Sequence, residues 1–380
     1  MTAKALFALS LLTSTAFAAP MNIEEQRYTN AVTELADVTG RYQPQIEQLL
    51  GRYRADSNEL TVTHKVAEDG KNLWQRAVND VRSGHFDDRS LYWDRLAARI
   101  ALKQQQPSFN MVQWQRDILL TSFEKASRGF SDVKFDPNSH VRILLTGFDP
   151  FQLDKNIGQS NPSGVAALAL DGMTFQLGSK QVQIETVMIP VRFQDFDDGL
   201  IESLLTPYYR DSSVDMILTV SMGRDNFDLE HFPGRNRSAA ATDNLQILTG
   251  ASQTQPLPPH LNGKVLHGPE FVEFSLPYQV MQQAPGPYVI NDNRNVVTTN
   301  GKVNATSLSR LDDSVSVQGS GGGYLSNEIS YRAVLLGQLM GSNIPVGHIH
   351  TPRIAGYDEA AIKAIVSQLE GMIAAGAATL

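Results

Sequence analysis

The sequence predicts an α/β protein: a three-layer α/β/α domain on a mainly parallel sheet, preceded by an all-α N-terminal region. Three observations carry this. From about residue 139 onward, short apolar runs alternate with helical stretches, the pattern of strands joined by crossover helices. Before that point, apolar residues recur at helical spacing and no strong strand is visible. The chain has 380 residues, 42% of them hydrophobic and 19% charged, enough for a sizeable core in one or two domains.

Taken in order, residues 1–18 read as a secretory signal peptide. Lys4 supplies a positive start, Ala5 to Leu12 an apolar stretch, and Ala16-Phe17-Ala18 a small-x-small cleavage pattern. The mature chain is expected to be exported, periplasmic or extracellular. No later apolar run reads as long enough to cross a membrane, so no membrane association is expected after cleavage. Residues 19–138 read as four or five helices. Met111, Trp114, Ile118 and Leu119 fall on one helical face, and Tyr92, Leu96 and Ile100 on another. Pro44 and Pro107 lie near helix starts, and Gly40, Gly70, Gly84 and Gly129 mark breaks.

In residues 139–380 the strand candidates are Val141–Leu145, Val182–Ile189, Met216–Val220 and Pro345–Ile349. The intervening helices are Gly164–Leu170, Leu200–Tyr209, Asn327–Met340 and Glu359–Ala374. Leu245 to Pro259 reads as an irregular loop, and Thr299-Asn300-Gly301-Lys302 as a hairpin turn. In such a sheet, functional loops lie at the carboxyl ends of the strands.

Composition excludes several classes of function. A formal net charge of -8 leaves no basic footprint for nucleic acid. The absence of cysteine removes disulfides, thiolate metal sites and any thiol nucleophile. No cofactor is implied.

Three places could carry chemistry. Thr146-Gly147-Phe148-Asp149-Pro150-Phe151, followed by Asn161-Pro162-Ser163, places two phenylalanines in a loop at a strand end. They either wall a ligand pocket or plug a gap against the next helix. Ser320-Gly321-Gly322-Gly323-Tyr324-Leu325-Ser326-Asn327 is a glycine loop opening a helix. Ser326 is either an N-cap or a nucleophile beside the free N–H groups of a helix start. Gly347-His348-Ile349-His350-Thr351-Pro352 puts two histidines on one strand face, as a base, a metal pair or hydrogen-bonded side chains.

Together and in this order, these places resemble pyroglutamyl peptidase I, a family that removes N-terminal pyroglutamyl residues from peptides with a Cys–His–Glu triad. The resemblance extends to Ile189-Pro190-Val191-Arg192-Phe193 and to Gly223-Arg224 followed by Glu230. It covers roughly residues 140 to 380 and leaves the helical region without counterpart. It implies Ser326, His350 and Glu230 in the catalytic slots. Phe148, Phe151, Asn161, Arg224 and Leu325 fall in the substrate-binding slots. The sequence departs from the family in several places. Ser326 stands where the family has cysteine, Gly164 where it has tryptophan after the NPS motif, and Glu328 where histidine is common. The stretch before Arg224 is shortened to Ser221-Met222-Gly223, and the residues after Glu230 read His231-Phe232-Pro233-Gly234-Arg235-Asn236.

A serine hydroxyl needs a base to remove its proton during attack, whereas a cysteine is already partly thiolate near neutral pH. Two readings follow from the resemblance: a hydrolase with a Ser–His–Glu arrangement, or a catalytically inactive member that binds pyroglutamyl or other peptide termini. A third makes the helices a partner-docking or oligomer-forming module on an α/β scaffold. The expected partner is a peptide substrate or ligand, with a homo-oligomer also compatible.

Overall fold

A computed structural model describes residues 20–380. The signal peptide expected at residues 1–18 lies outside the described residues. Five helices come first: α1 (Ile23–Glu34), α2 (Gln43–Ala55), α3 (Glu59–Arg82), α4 (Arg89–Gln104) and α5 (Gln113–Ala126). Asn22 opens α1 with a reciprocal capping box to Glu25, and Asn58 caps α3 through two backbone N–H groups.

The α/β domain then runs β1 (Val141–Phe148), α6 (Pro162–Leu170), β2 (Met173–Leu177), β3 (Lys180–Ile189), α7 (Phe193–Asp197), α8 (Leu200–Asp211), β4 (Met216–Met222) and β5 (Phe227–Glu230). After the short pair β6 (His260–Leu261) and β7 (Lys264–Val265) come α9 (Tyr278–Met281), β8 (Ile290–Asn293), β9 (Asn295–Thr298), β10 (Gly301–Asn304) and β11 (Ser316–Gln318). The chain closes with α10 (Leu325–Leu339), β12 (Val346–Thr351) and α11 (Glu359–Ala377). The main sheet has seven strands in the order β2-β3-β1-β4-β12-β5-β8. β3, β1, β4 and β12 run parallel, β2 is antiparallel at one edge, and β5 pairs antiparallel with β12. β1 is followed by α6 and then by β3 on one side, whereas β3 returns through α8 to β4 on the other. Right-handed crossovers therefore place α6 and α8 on opposite faces. α11 packs on α6, and α10 packs on α8, which gives three layers.

One core joins the two regions. Tyr53, Leu73, Trp74 and Phe123 from the helices share a contiguous buried cluster with Val141, Leu144, Ile184 and Leu168 from the sheet and α6. α3 packs directly on α6, and the Trp74 indole N–H donates to Asp171 Oδ2 at 3.1 Å. The helical region thus forms an added layer over one side of the α/β domain.

Three expectations need correction. Gly70 marks no break: it lies inside α3, where a Cβ would come within 2.8 Å of Phe123 O, so glycine lets α5 pack closely. The stripe Met111–Trp114–Ile118–Leu119 is not one buried face: Trp114 is 61% and Ile118 51% exposed. Of the stripe only Met111 and Leu119 are buried; α5 starts at Gln113 and turns Arg116, Leu120 and Phe123 inward beside Leu119, because α3 meets it on that side. The C-terminal helix α11 is also long and apolar enough to cross a membrane, contrary to the reading of the sequence. Half of it is buried, where it packs against α6 and α9, as a core helix would.

Candidate active site

The loops singled out in the sequence converge where the parallel strands end. β1 ends at Phe148, β3 at Ile189, β4 at Met222 and β12 at Thr351, all along one rim of the sheet. Chain reversal at each of these ends frees side chains to point into a common space.

Glu230 and His350 meet through strand register. His350 lies opposite Asp228 across the antiparallel β12–β5 pair, so Glu230, two residues along, is its diagonal neighbour on the same face. His350 Nδ1 lies 2.5 Å from Glu230 Oε1. Glu230 is fully buried, and burial pushes its carboxyl above its ordinary range, against the pull of His350 and Arg224. Asn293 Nδ2 donates to Glu230 Oε2 at 2.9 Å, and Arg224 Nη2 lies 3.4 Å from Oε1. With a carboxylate on Nδ1, the imidazole is held in the tautomer that leaves Nε2 free to accept a proton. Gly223 packs flat on the ring: a Cβ there would sit 2.5 Å from His350 Cβ and 2.7 Å from Cγ, so only glycine fits.

His348, two residues earlier on the same face, has a different role. Its Nδ1 pairs with Thr219 Oγ1 and its Nε2 with Ser221 Oγ, each at 2.8 Å. Complete burial, with His350 as a secondary cause, holds it well below the usual histidine range and hence neutral. It braces β12 against β4 and sits edge-on to His350, with ring centroids 4.8 Å apart.

Ser326 is the second residue of α10. Tyr324, in extended conformation, occupies the N-cap position without a side-chain cap bond, so Ser326 is not the cap. Gly322 turns at φ +90°, and Asn327 ties this loop to the chain after β5 by bonds to Gly234 N (3.0 Å) and Gly234 O (2.7 Å). The Ser326 hydroxyl donates to Gly321 O at 3.3 Å. Among the described residues, no hydrogen bond joins Ser326 to His350. The N–H groups of Leu325, Ser326 and Asn327 lie in the first turn, where no intrahelical acceptor exists.

Ser326 borders a cavity of about 270 Å³. Phe148, Phe151, Val191, Tyr324 and Leu325 make its apolar walls, and Gln152, Gln159, Asn161 and Ser221 its polar ones. Gly223 and Arg353 lie at its His350 side. Phe148 is stacked on Phe196, with ring centroids 6.4 Å apart. The structure therefore brings Ser326, Phe148, Phe151, Asn161 and Leu325 to one cavity, with the Glu230–His350 pair behind Gly223. Asn161 contributes as a spacer: its Oδ1 caps α6 at Ser163 N and its Nδ2 donates to Asp149 O. Arg224 does not line this cavity. It turns to Asp228 and Glu230 and lines a separate polar groove with Asn291 and Asn293.

The helical region buttresses the cavity loops, which sequence reading missed. Asp149, between the two phenylalanines, is completely buried and paired with Arg95 of α4 and with Arg128, each at 2.6 Å. Asp88, just before α4, is also fully buried. It accepts from Ser160 Oγ at 2.6 Å and from Asn161 N at 3.1 Å. Among the described residues no cation is bonded to it, and burial pushes its carboxyl up to about 8. Gly164 makes this contact possible: a Cβ there would lie 2.8 Å from Asp88 Oδ2 and 2.6 Å from Phe148 O. Glu328, likewise unlike the family pattern, is buried between Arg237 and Arg332.

The fold and the site define an α/β protein with a serine-bordered cavity at the strand ends and a helical buttress. Residues 142–275 and 271–355 match the family described as "PA0049, C-terminal domain", and residues 8–124 match "PA0049 N-terminal domain". "Uncharacterized protein PA0049" of Pseudomonas aeruginosa is 30% identical over 385 residues, an alignment covering 77% of this chain and 70% of that protein. The chain belongs to the PA0049 family. Among solved structures, pyrrolidone carboxyl peptidase of Pyrococcus furiosus superposes with a TM-score of 0.43 and 19% identity, over 62% of this chain and 98% of that one. A mutant of the same enzyme gives a TM-score of 0.41 with 19% identity, over 61% and 98%.

Proposed function

We propose that the chain is a pyroglutamyl-peptidase-like hydrolase using Ser326 as nucleophile, His350 as base and Glu230 as the group that orients it. The observation that carries this reading is the buried Glu230–His350 pair at 2.5 Å, set behind Gly223 at the edge of the Ser326 cavity. A carboxylate fixing Nδ1 is what a general base requires of its partner. In the reaction, Ser326 Oγ gives up its long bond to Gly321 O and attacks the pyroglutamyl carbonyl carbon. Its proton passes to His350 Nε2. The oxyanion forms against the free N–H groups at the start of α10. The C–N bond breaks as His350 returns the proton to the leaving amine, and water then cleaves the acyl ester by the same relay.

One observation favours a second reading, a binding protein without turnover: the Ser326 hydroxyl is engaged by Gly321 O rather than by His350. Misplacement of a nucleophile by about 1 Å can cost about 100-fold. The deciding experiment follows amine release from a chromogenic pyroglutamyl amide by the wild-type chain, Ser326→Ala and Ser326→Cys. Release by wild type that Ser326→Ala abolishes supports the hydrolase. No release by wild type, together with tight binding of pyroglutamyl peptides, supports the binding protein. Strong activity gained by Ser326→Cys would then show that only the nucleophile is missing.

A further inference from the structure

We infer that Arg353 is a specificity-determining residue, and that the Ser326 cavity takes a short peptide end bearing a free carboxylate. The inference rests on the proposed function only in using the same cavity as the ligand site; it does not require turnover.

Among the residues bordering the cavity, Arg353 is the one that carries a formal charge; the others are apolar, amide, hydroxyl or glycine. Its position is fixed by the backbone. It follows Pro352 at the end of β12, its N–H donates to Arg224 O, and its Nε donates to Gly223 O at 3.2 Å. That last bond directs the guanidinium along the strip of chain that packs on His350. Its remaining N–H groups meet no carboxylate among the described residues. Arg353 is exposed, so its free N–H groups are open to solvent and to a ligand entering the cavity.

The first turn of α10 faces the same cavity with unpaired N–H groups at Leu325 and Ser326 and the positive end of the helix dipole. Two positive elements and no acidic one therefore border a space of about 270 Å³. The arginine fork suits a planar carboxylate held by two N–H groups. The apolar walls suit ring or aliphatic carbons, and the limited volume suits one or two residues. A ligand that satisfies all three is a pyroglutamyl dipeptide with a free C-terminus, in preference to a blocked or longer peptide.

The test compares acid and amide forms of one ligand. Pyroglutamyl-alanine and pyroglutamyl-alaninamide are titrated calorimetrically into the full-length Ser326→Ala protein, so that turnover cannot interfere. The same titrations follow in that background with Arg353→Gln and Arg353→Lys. Benzoylglycine and its amide, which lack a lactam, form a second pair. The expected result is at least a tenfold preference for the acid, lost with Arg353→Gln, partly kept with Arg353→Lys and weakened by added salt. Equal affinity for acid and amide, or a preference that survives Arg353→Gln, overturns the inference. Failure of both acids to bind overturns it as well. A carboxylate preference in the benzoyl pair alone keeps Arg353 in its role and removes the lactam, so the two readings fail separately.

Discussion

Replacing Asp88 by asparagine should change how stability depends on pH, because the buried carboxyl has no cation to hold its charge. Its folded-state value of about 8 lies far above the ~3.9 of an unfolded aspartate. Between those limits the native state holds one more proton at this site than the unfolded chain does, so unfolding free energy falls as pH rises. The slope from one such group is about 1.4 kcal/mol per pH unit. Asparagine has no proton to lose, yet it reproduces the protonated acid: Nδ2 can donate to Ser160 Oγ while Oδ1 accepts from Asn161 N. The stability of Asp88→Asn relative to wild type should therefore improve by about 2.7 kcal/mol between pH 5 and pH 7. Asp94 and Glu185, each near 7, and Asp171, near 6, titrate in the same direction. They are present in both proteins, so their contributions cancel in the difference. Urea unfolding of both proteins at pH 5, 6 and 7, followed by far-UV circular dichroism, measures it. A constant gap across this range, or a wild type that gains on the variant as pH rises, would refute the assignment of Asp88 as a neutral buried acid.

Three further outcomes follow from named contacts. Asp149→Ala strands two buried arginines and should cost about 3–5 kcal/mol, read as a lowered urea midpoint; a change under 1 kcal/mol would mean Arg95 and Arg128 find other partners. Glu230→Gln should keep the fold and reduce release of amine from a pyroglutamyl amide by about 10⁴-fold, the scale seen when a triad carboxylate becomes an amide; a loss below threefold would remove Glu230 from the orienting role. Gly223→Ala forces the His350 ring to move and should depress the same reaction while leaving circular dichroism unchanged, and retention of full activity would contradict the packing of Gly223 on His350.

The strands that form the centre of the sheet were legible because they are largely buried and read as apolar-rich stretches, though Arg142, Gln183, Glu185, Thr186 and His348 interrupt them: Val141–Leu145, Val182–Ile189, Met216–Val220 and Pro345–Ile349 all lie within or overlap observed strands. The strand that carries Glu230 was not. Phe227–Glu230 has four residues and alternates apolar with acidic, and its partner Ile290–Asn293 is three-quarters polar. Such segments become strands only when a neighbour supplies the hydrogen bonds. The small antiparallel sheet of β9, β10 and β11 was hidden for the same reason, apart from its Asn300-Gly301 turn. Helix periodicity misled at Trp114 and Ile118, where spacing fits a face but the packing partner lies on the other side. Within the site, motif order brought Ser326, Phe148, Phe151, Asn161 and Leu325 to one cavity. It could not separate Arg224 from that cavity, because its direction depends on Asp228 and Glu230.

The helical region accounts for one departure from the pyroglutamyl-peptidase pattern, Gly164. Gly164 leaves a space between Phe148 O and the start of α6 that Asp88 fills from the helical region, and any larger side chain would occupy that space itself. Asp149 in the neighbouring motif is neutralised from the same direction by Arg95 and Arg128. Both cavity segments, Phe148–Phe151 and Ser160–Asn161, thus take their support from residues outside the α/β domain. A docking module that is merely attached would have its own core and leave the scaffold's loops satisfied without it. Here the core is continuous through Trp74 and Leu73 into the sheet, and the loops would lose buried partners if the helices were absent. The helical region is better understood as a support for the loops that line the cavity than as a separate unit. On the proposed function, ligand preference depends on both halves of the chain, with the helices supporting the aromatic side of the cavity and the end of β12 placing Arg353 on the other.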